Sequence, residues 1–164
     1  MKYVHTNIIA KDWKALSAFY QDVFDCEIVP PERHQGGEWL ERGTGVRHAE
    51  LEGVHLLLPG YGNRGPTLEI YTYASVVEHP VGPANRTGFG HLAFEVDDVR
   101  QTLEKLLKAG GELEGQLASN EIEGVGVVTF VYARDPEGNL LELQSWRKTA
   151  EPDTAQDGFG GRGT

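Results

Sequence analysis

Apolar side chains recur at helical spacing in two stretches of the chain: Trp13, Leu16, Phe19, Tyr20, Val23 and Phe24, and then Val99, Leu103, Leu106 and Leu107. Each stretch follows an aspartate placed to cap a helix, Asp12 in the first and Asp98 or its neighbour Asp97 in the second, and Gly110-Gly111 closes the second helix. A short strand-like run precedes each helix. After the helices the pattern predicts strands at about 27–33 and 46–58, the latter interrupted at Gly53, and at about 112–118 and 125–133.

These elements repeat. Val4-His5-Thr6-Asn7-Ile8-Ile9-Ala10-Lys11-Asp12 matches Gly90-His91-Leu92-Ala93-Phe94-Glu95-Val96-Asp97-Asp98, with a histidine near the start and an aspartate seven residues later in both. Downstream, Gly65-Pro66-Thr67-Leu68-Glu69-Ile70 matches Gly138-Asn139-Leu140-Leu141-Glu142-Leu143, a glycine turn entering a strand with a glutamate four residues on. His5 and Glu69 are 64 residues apart and His91 and Glu142 are 51 apart, so the first copy carries a longer middle. The chain is therefore expected to be α+β, a duplicated βαβββ module of about 1–77 and 89–146. The Pro- and Gly-rich run 78–88 would link the two.

Length and charge narrow the partners. At 164 residues with a formal charge of −10, the chain suits one globular domain with a core of its own. Its acidity removes the basic footprint of nucleic-acid binding and gives no attraction to an anionic membrane. The single cysteine, Cys26, excludes an internal disulfide and a Cys-rich zinc site. The start has no uninterrupted apolar signal segment and no stretch is long enough to span a bilayer, so a cytoplasmic protein is expected. Residues 147–164, rich in glycine and polar residues, read as a flexible tail.

The segments 90–98 and Asp135-Pro136-Glu137-Gly138-Asn139-Leu140-Leu141-Glu142 resemble the vicinal oxygen chelate superfamily, which includes glyoxalases, bleomycin-resistance proteins and dioxygenases. The resemblance covers roughly residues 3–146. It implies paired βαβββ modules curving into an open, incurved mixed β-barrel around a cleft, a divalent metal in that cleft, and a homodimer.

Equivalent strand starts supply His5 and His91, and equivalent strand ends supply Glu69 and Glu142. If facing modules bring these four together, two imidazoles and two carboxylates would suit one divalent transition metal such as Zn, Ni, Co, Mn or Fe(II). Period-two spacing extends the Glu69 face to Tyr71 and Tyr73, and the Glu142 face to Gln144 and Trp146, as first substrate contacts. His48 and Glu50 would join them if their shared strand face turns inward, with His55 close by under the same condition. Arg47 and Arg134 are candidate partners for a substrate carboxylate or phosphate.

The His/Glu/His/Glu set resembles glyoxalase I, whose relatives use a metal-shell glutamate as base; Glu142 or Glu69 would fill that role here. The resemblance thus implies a lyase or isomerase acting on a small oxygen-chelating substrate. The alternatives are a methylmalonyl-CoA-epimerase-like isomerase, an extradiol-type dioxygenase and a metal-free bleomycin-resistance-like binding protein. Two positions depart from bacterial glyoxalase I: Ile9 stands where those relatives carry arginine, and Tyr73 where they carry asparagine. Glutathione recognition therefore does not follow from the resemblance. Whether the modules close on each other or on those of a second chain is left open.

Overall fold

The computed structural model describes residues 1–78 and 80–148. The first module runs β1 (His5–Ile9), α1 (Trp13–Phe24), β2 (Glu27–Gly36), α2 (Glu38–Thr44), β3 (Glu50–Leu57) and β4 (Thr67–Tyr73). The second runs β5 (Leu92–Glu95), α3 (Val99–Lys108), β6 (Glu112–Leu113), β7 (Ala118–Ile122), β8 (Gly126–Arg134) and β9 (Leu140–Arg147). The fold is α+β, with two mixed sheets and no closed barrel. The sheets repeat one strand order, β1-β4-β3-β2 and β5-β9-β8-β6, with the first pair parallel and the others antiparallel. Both β6 and β7 pair with β8, so together they serve as one interrupted edge strand.

The caps form as the sequence predicts. Asp12 Oδ1 accepts the amides of Lys14 and Ala15, and Asp98 Oδ1 accepts that of Gln101, satisfying donors the first helical turn leaves unpaired. All six predicted apolar positions of α1 are buried. In α3, Val99 and Leu106 are buried and Leu103 packs on the core, but Leu107 is 42% exposed and turns to solvent. Helix α1 lies against Ile8, Val54, Leu56, Leu68 and Ile70, and the same cluster continues into Val131, Ala133, Leu141 and Leu143 of the second sheet. Phe24 and Phe94 stack across the junction with ring centroids 3.9 Å apart.

A polar clamp joins the modules beside this core. Asp135, 1% exposed, receives the Tyr20 hydroxyl at 2.9 Å on Oδ2, while Oδ1 accepts the amides of Glu137 and Asn139. The Glu137 carboxylate takes the amides of Lys11 (2.7 Å) and Asp12 (2.9 Å), which lead into α1. Burial pushes the Asp135 carboxyl above its ordinary value, and hydrogen bonds from Asn139, Tyr20 and Glu137 hold it partway down. Arg134 is equally committed: it pairs with Glu114 at 2.7 Å and donates to the carbonyls of Gly138 and Gly82. It fastens the connecting run to β8 and is not open to a substrate.

Three sequence expectations are corrected. Helix α2 was not expected; Gly37 and Gly45, both at positive φ, open and close it, and Leu40 packs against Leu51 and Tyr71. The strand predicted at 46–58 begins only at Glu50, because a turn at residues 46–49 places His48 at φ 53°. Gly53 does not interrupt β3: it leaves room for β4, since a Cβ there would collide with the Ile70 carbonyl oxygen. Strand β9 reaches Arg147, and the rest of the predicted tail, from residue 149, lies outside the described residues. No helix among the described residues is long and apolar enough to cross a membrane.

If the clamp carries the junction, Tyr20→Phe, which removes only the donor to a buried carboxylate, should lower unfolding free energy by about 1–3 kcal/mol in urea titration. An unchanged midpoint would assign the junction to apolar packing alone.

Candidate functional site

Each sheet turns one face to the shared core with α1 and α3, and the other carries the candidate chemistry. Strand pairing sets which side chains share a face. In the first sheet Glu69 of β4 lies beside Asn7 of β1 and opposite His55 of β3. In the second, Glu142 of β9 lies beside Ala93 of β5 and opposite Tyr132 of β8. Asn7 and Ala93 each stand two residues after their module's histidine, so His5–Glu69 and His91–Glu142 occupy equivalent registers. The duplication seen in sequence is a duplication of geometry.

Glu69 is 9% exposed, and its Oε1 lies 3.3 Å from His5 Nδ1 and 3.2 Å from His55 Nε2. His55 Nε2 also meets the Tyr71 hydroxyl at 2.6 Å, in a hydrogen bond whose direction follows the His55 tautomer. Burial lowers the His55 pKa; the Glu69 charge opposes this, while Arg33 and His5 reinforce it. The Tyr71 phenol is pushed up to about 12, chiefly by burial and then by the Glu69 charge. These shifts describe a neutral imidazole and a neutral phenol beside a carboxylate near pH 7.

In the second sheet His91 Nε2 is 2.9 Å from Glu142 Oε2, and the His91 ring lies 5.0 Å from that of Tyr132. Burial raises the Tyr132 phenol, helped by the charge of Glu142 and a hydrogen bond to it. Gln144 and Trp146 continue the Glu142 face, and the Trp146 indole N–H donates to Gln144 Oε1 at 3.1 Å. Tyr71 and Tyr73 continue the Glu69 face, where both pack near Leu40 of α2.

Other sequence-predicted contacts fall elsewhere. His48, on its positive-φ turn, is exposed and lies 3.6 Å from Glu41, so it shares no strand face with Glu50. Glu50 stands opposite in face to Glu69 and borders a cavity of about 600 Å³ with Lys11, Lys14, His34 and Glu52. None of His5, His55, Glu69, His91 or Glu142 borders that cavity; they lie on the sheet faces. His55 is the residue that spacing alone left undecided, and its signal is cross-strand: it faces Glu69 as Tyr132 faces Glu142.

The donor chemistry, imidazole nitrogens with carboxylate oxygens, fits a borderline divalent cation. The placement within one chain does not yet make such a centre. Among the described residues no group of three or more His, Cys, Asp or Glu side chains is arranged to hold an ion. His5, His55 and Glu69 close on one another at hydrogen-bond distances, and the His91–Glu142 pair belongs to the other sheet. Within one chain the four residues therefore stand as two half-sets, His5 with Glu69 and His91 with Glu142.

Residues 2–143 match the Glyoxalase/Bleomycin resistance protein/Dioxygenase superfamily. The chain is similar to a probable lactoylglutathione lyase from Vibrio parahaemolyticus, with 24% identity over 144 residues, 87% of this chain and 88% of that protein. A second probable lactoylglutathione lyase, from Synechocystis, is 25% identical over 145 residues, 87% of this chain and 94% of the relative. Among solved structures, a glyoxalase family protein from Bacillus cereus aligns with a TM-score of 0.70 at 22% identity, covering 89% of this chain and 93% of its own. One from Enterococcus faecalis aligns at 0.57 with 26% identity, covering 87% and 96%.

The His55 environment is open to direct titration. Its imidazole resonances in metal-free protein should shift with a midpoint below the ordinary value of 6.5, because burial, helped by the Arg33 charge, outweighs Glu69. With the folded value depressed, this group's contribution to stability is present above that ordinary value and is lost as pH falls through the folded one. A midpoint at or above 6.5 would mean that the Glu69 contact dominates instead.

Proposed function

Because this chain belongs to the glyoxalase/bleomycin resistance protein/dioxygenase superfamily, we propose that it is a divalent-metal-dependent lyase or isomerase of the glyoxalase type. It would move a proton between adjacent carbons of a small substrate that binds through two neighbouring oxygens. The observation that carries this reading is the matched pairing of His5 with Glu69 and His91 with Glu142 on equivalent faces. The curated relatives named lactoylglutathione lyase fit the same class.

His5 and Glu69 of one chain, facing His91 and Glu142 of a second, would complete the ligand set in a homodimer. Residues 1–146 act in this reading as one domain of two modules, in the cytoplasm. The bound ion would supply Lewis-acid polarisation of the two substrate oxygens, making the adjacent C–H more acidic. The remaining work falls to side chains. Glu69, held by both His5 and His55, suits a fixed ligand. Glu142, held by one imidazole, that of His91, and the Tyr132 phenol, is freer to swing, take the proton from one carbon and return it to the next. The phenol of Tyr132 beside it stays protonated at neutral pH and can hold the carboxylate during the exchange. Tyr71, Tyr73, Gln144 and Trp146 would line the substrate's path.

Glutathione is disfavoured as part of the substrate by the two departures from the bacterial glyoxalase I pattern, Ile9 and Tyr73. Ile9, 44% exposed, shares the Glu69 face and offers no charge to a peptide carboxylate. The class to screen is therefore 2-oxo aldehyde adducts of varied thiols, together with acyl-CoA esters.

Protein purified without added metal or chelator should contain close to one divalent ion per chain, lost in His91→Ala and weakened in Glu69→Gln, by elemental analysis. A protein that stays metal-free after incubation with Ni, Zn, Co, Mn and Fe(II) would leave a binding module in place of an enzyme. Glu142→Gln should lower kcat by about 10²–10⁴-fold, as loss of a proton-transferring group does, with the deuterium wash-in from solvent falling in step. A kcat that instead follows Glu69→Gln would exchange the two roles.

A further inference from the structure

Strand β2 places Arg33 opposite Gly53 of β3, which in turn lies opposite Tyr71 of β4, so the three share the face of Glu69. Gly53 has no side chain, and a Cβ there would meet the Tyr71 ring at 2.4 Å. The row thus runs from a guanidinium over bare backbone to a phenol. Arg33 is close enough for its charge to act on both His55 and Tyr71.

Arg33 is held by backbone rather than by an acidic side chain. It is half-buried, its Nη1 donates to the carbonyl of Pro31, and it makes no ion pair among the described residues. The adjacent Glu32, and Glu52 beside Gly53 on β3, lie against His34. Arg134 of the second sheet, by contrast, is closed off by Glu114 and two carbonyls. With 25 acidic residues against 15 basic ones, carboxylates to neutralise an arginine are plentiful, and among the described residues none lies within ion-pair distance of Arg33. A half-buried guanidinium without a carboxylate leaves strong, planar hydrogen-bonding capacity facing the site.

We infer that Arg33 is the anion-binding element of this site, and that the substrate carries a carboxylate or phosphate group besides its two chelating oxygens. This rests on the metal-chelating reading for the position of those oxygens, though not for the presence of the anion subsite. Its positive charge lies on the same face as Glu69, whose carboxylate alone would repel an anionic molecule. Tyr71 supplies an aromatic wall between the subsite and the His5–Glu69 pair.

Calorimetric titration of the nickel-loaded full chain tests it with three probes sharing a 2-oxo acid head: 2-oxoglutarate, phosphonopyruvate and 2-oxopentanoate, whose tail is neutral. At least one anionic probe should bind about tenfold or more tighter than 2-oxopentanoate, and the better one identifies carboxylate or phosphate. Arg33→Gln should bring the anionic probes to within about twofold of the neutral one, and Arg33→Lys should retain part of the preference. In parallel, metal-free protein is titrated with glutarate and methylphosphonate, which lack the chelating pair, while amide resonances of β2 and β3 are followed. Shifts that vanish in Arg33→Gln would support the anion subsite even if no metal binds. Equal affinities in the wild type, a preference surviving Arg33→Gln, or no Arg33-dependent shift in the metal-free arm would overturn it.

Discussion

The Tyr20–Asp135 hydrogen bond, with the turn around it, is the constraint on which the arrangement of the molecule depends. It ties the middle of α1 to the turn that launches β9, the strand bearing Glu142. The same turn lends Glu137 to the amides entering α1, just beyond the strand that bears His5. Two half-sets from different modules are therefore referred to one rigid junction, with Phe24 stacked on Phe94 beside it. Buried polar contacts of this kind set geometry more than they add net stability, because an unpaired Asp135 would be costly in this core.

The candidate chemistry follows from strand register. One face of each sheet feeds the shared core, and strict alternation sends Glu69 and Glu142 to the other, where each meets its module's histidine. The two halves are not equal. The first is drier and more crowded, with His55 and Tyr71 around Glu69; the second offers Glu142 one imidazole and one phenol. That asymmetry supports dividing the two carboxylates into a fixed group and a mobile one.

Much of the fold was legible before any coordinates, because both helices bury amphipathic stripes and carry aspartate caps, and the repeat fixed equivalent strands. Helix α2 was not, since seven residues with one buried apolar side chain carry too little periodicity to separate a helix from a polar loop. His48 was misplaced because a period-two argument holds only within a strand, and a turn separates it from Glu50. His55 and Arg33 were undecided or unremarked for a related reason: what marks them is a partner on a neighbouring strand, and register across strands is not written in local spacing. The half-sets' separation was likewise invisible, as symmetry in sequence says nothing about which copy faces which.

In the proposed arrangement one site draws on two chains. Its direct measurement mixes a His5→Ala/Glu69→Gln variant with a His91→Ala/Glu142→Gln variant, each metal-deficient alone, and reads metal bound after subunit exchange. Random pairing puts one intact site in each heterodimer, so uptake should recover to roughly a quarter of the wild-type level. No recovery, with heterodimers demonstrably formed, would contradict a shared site and return all four ligands to a single chain.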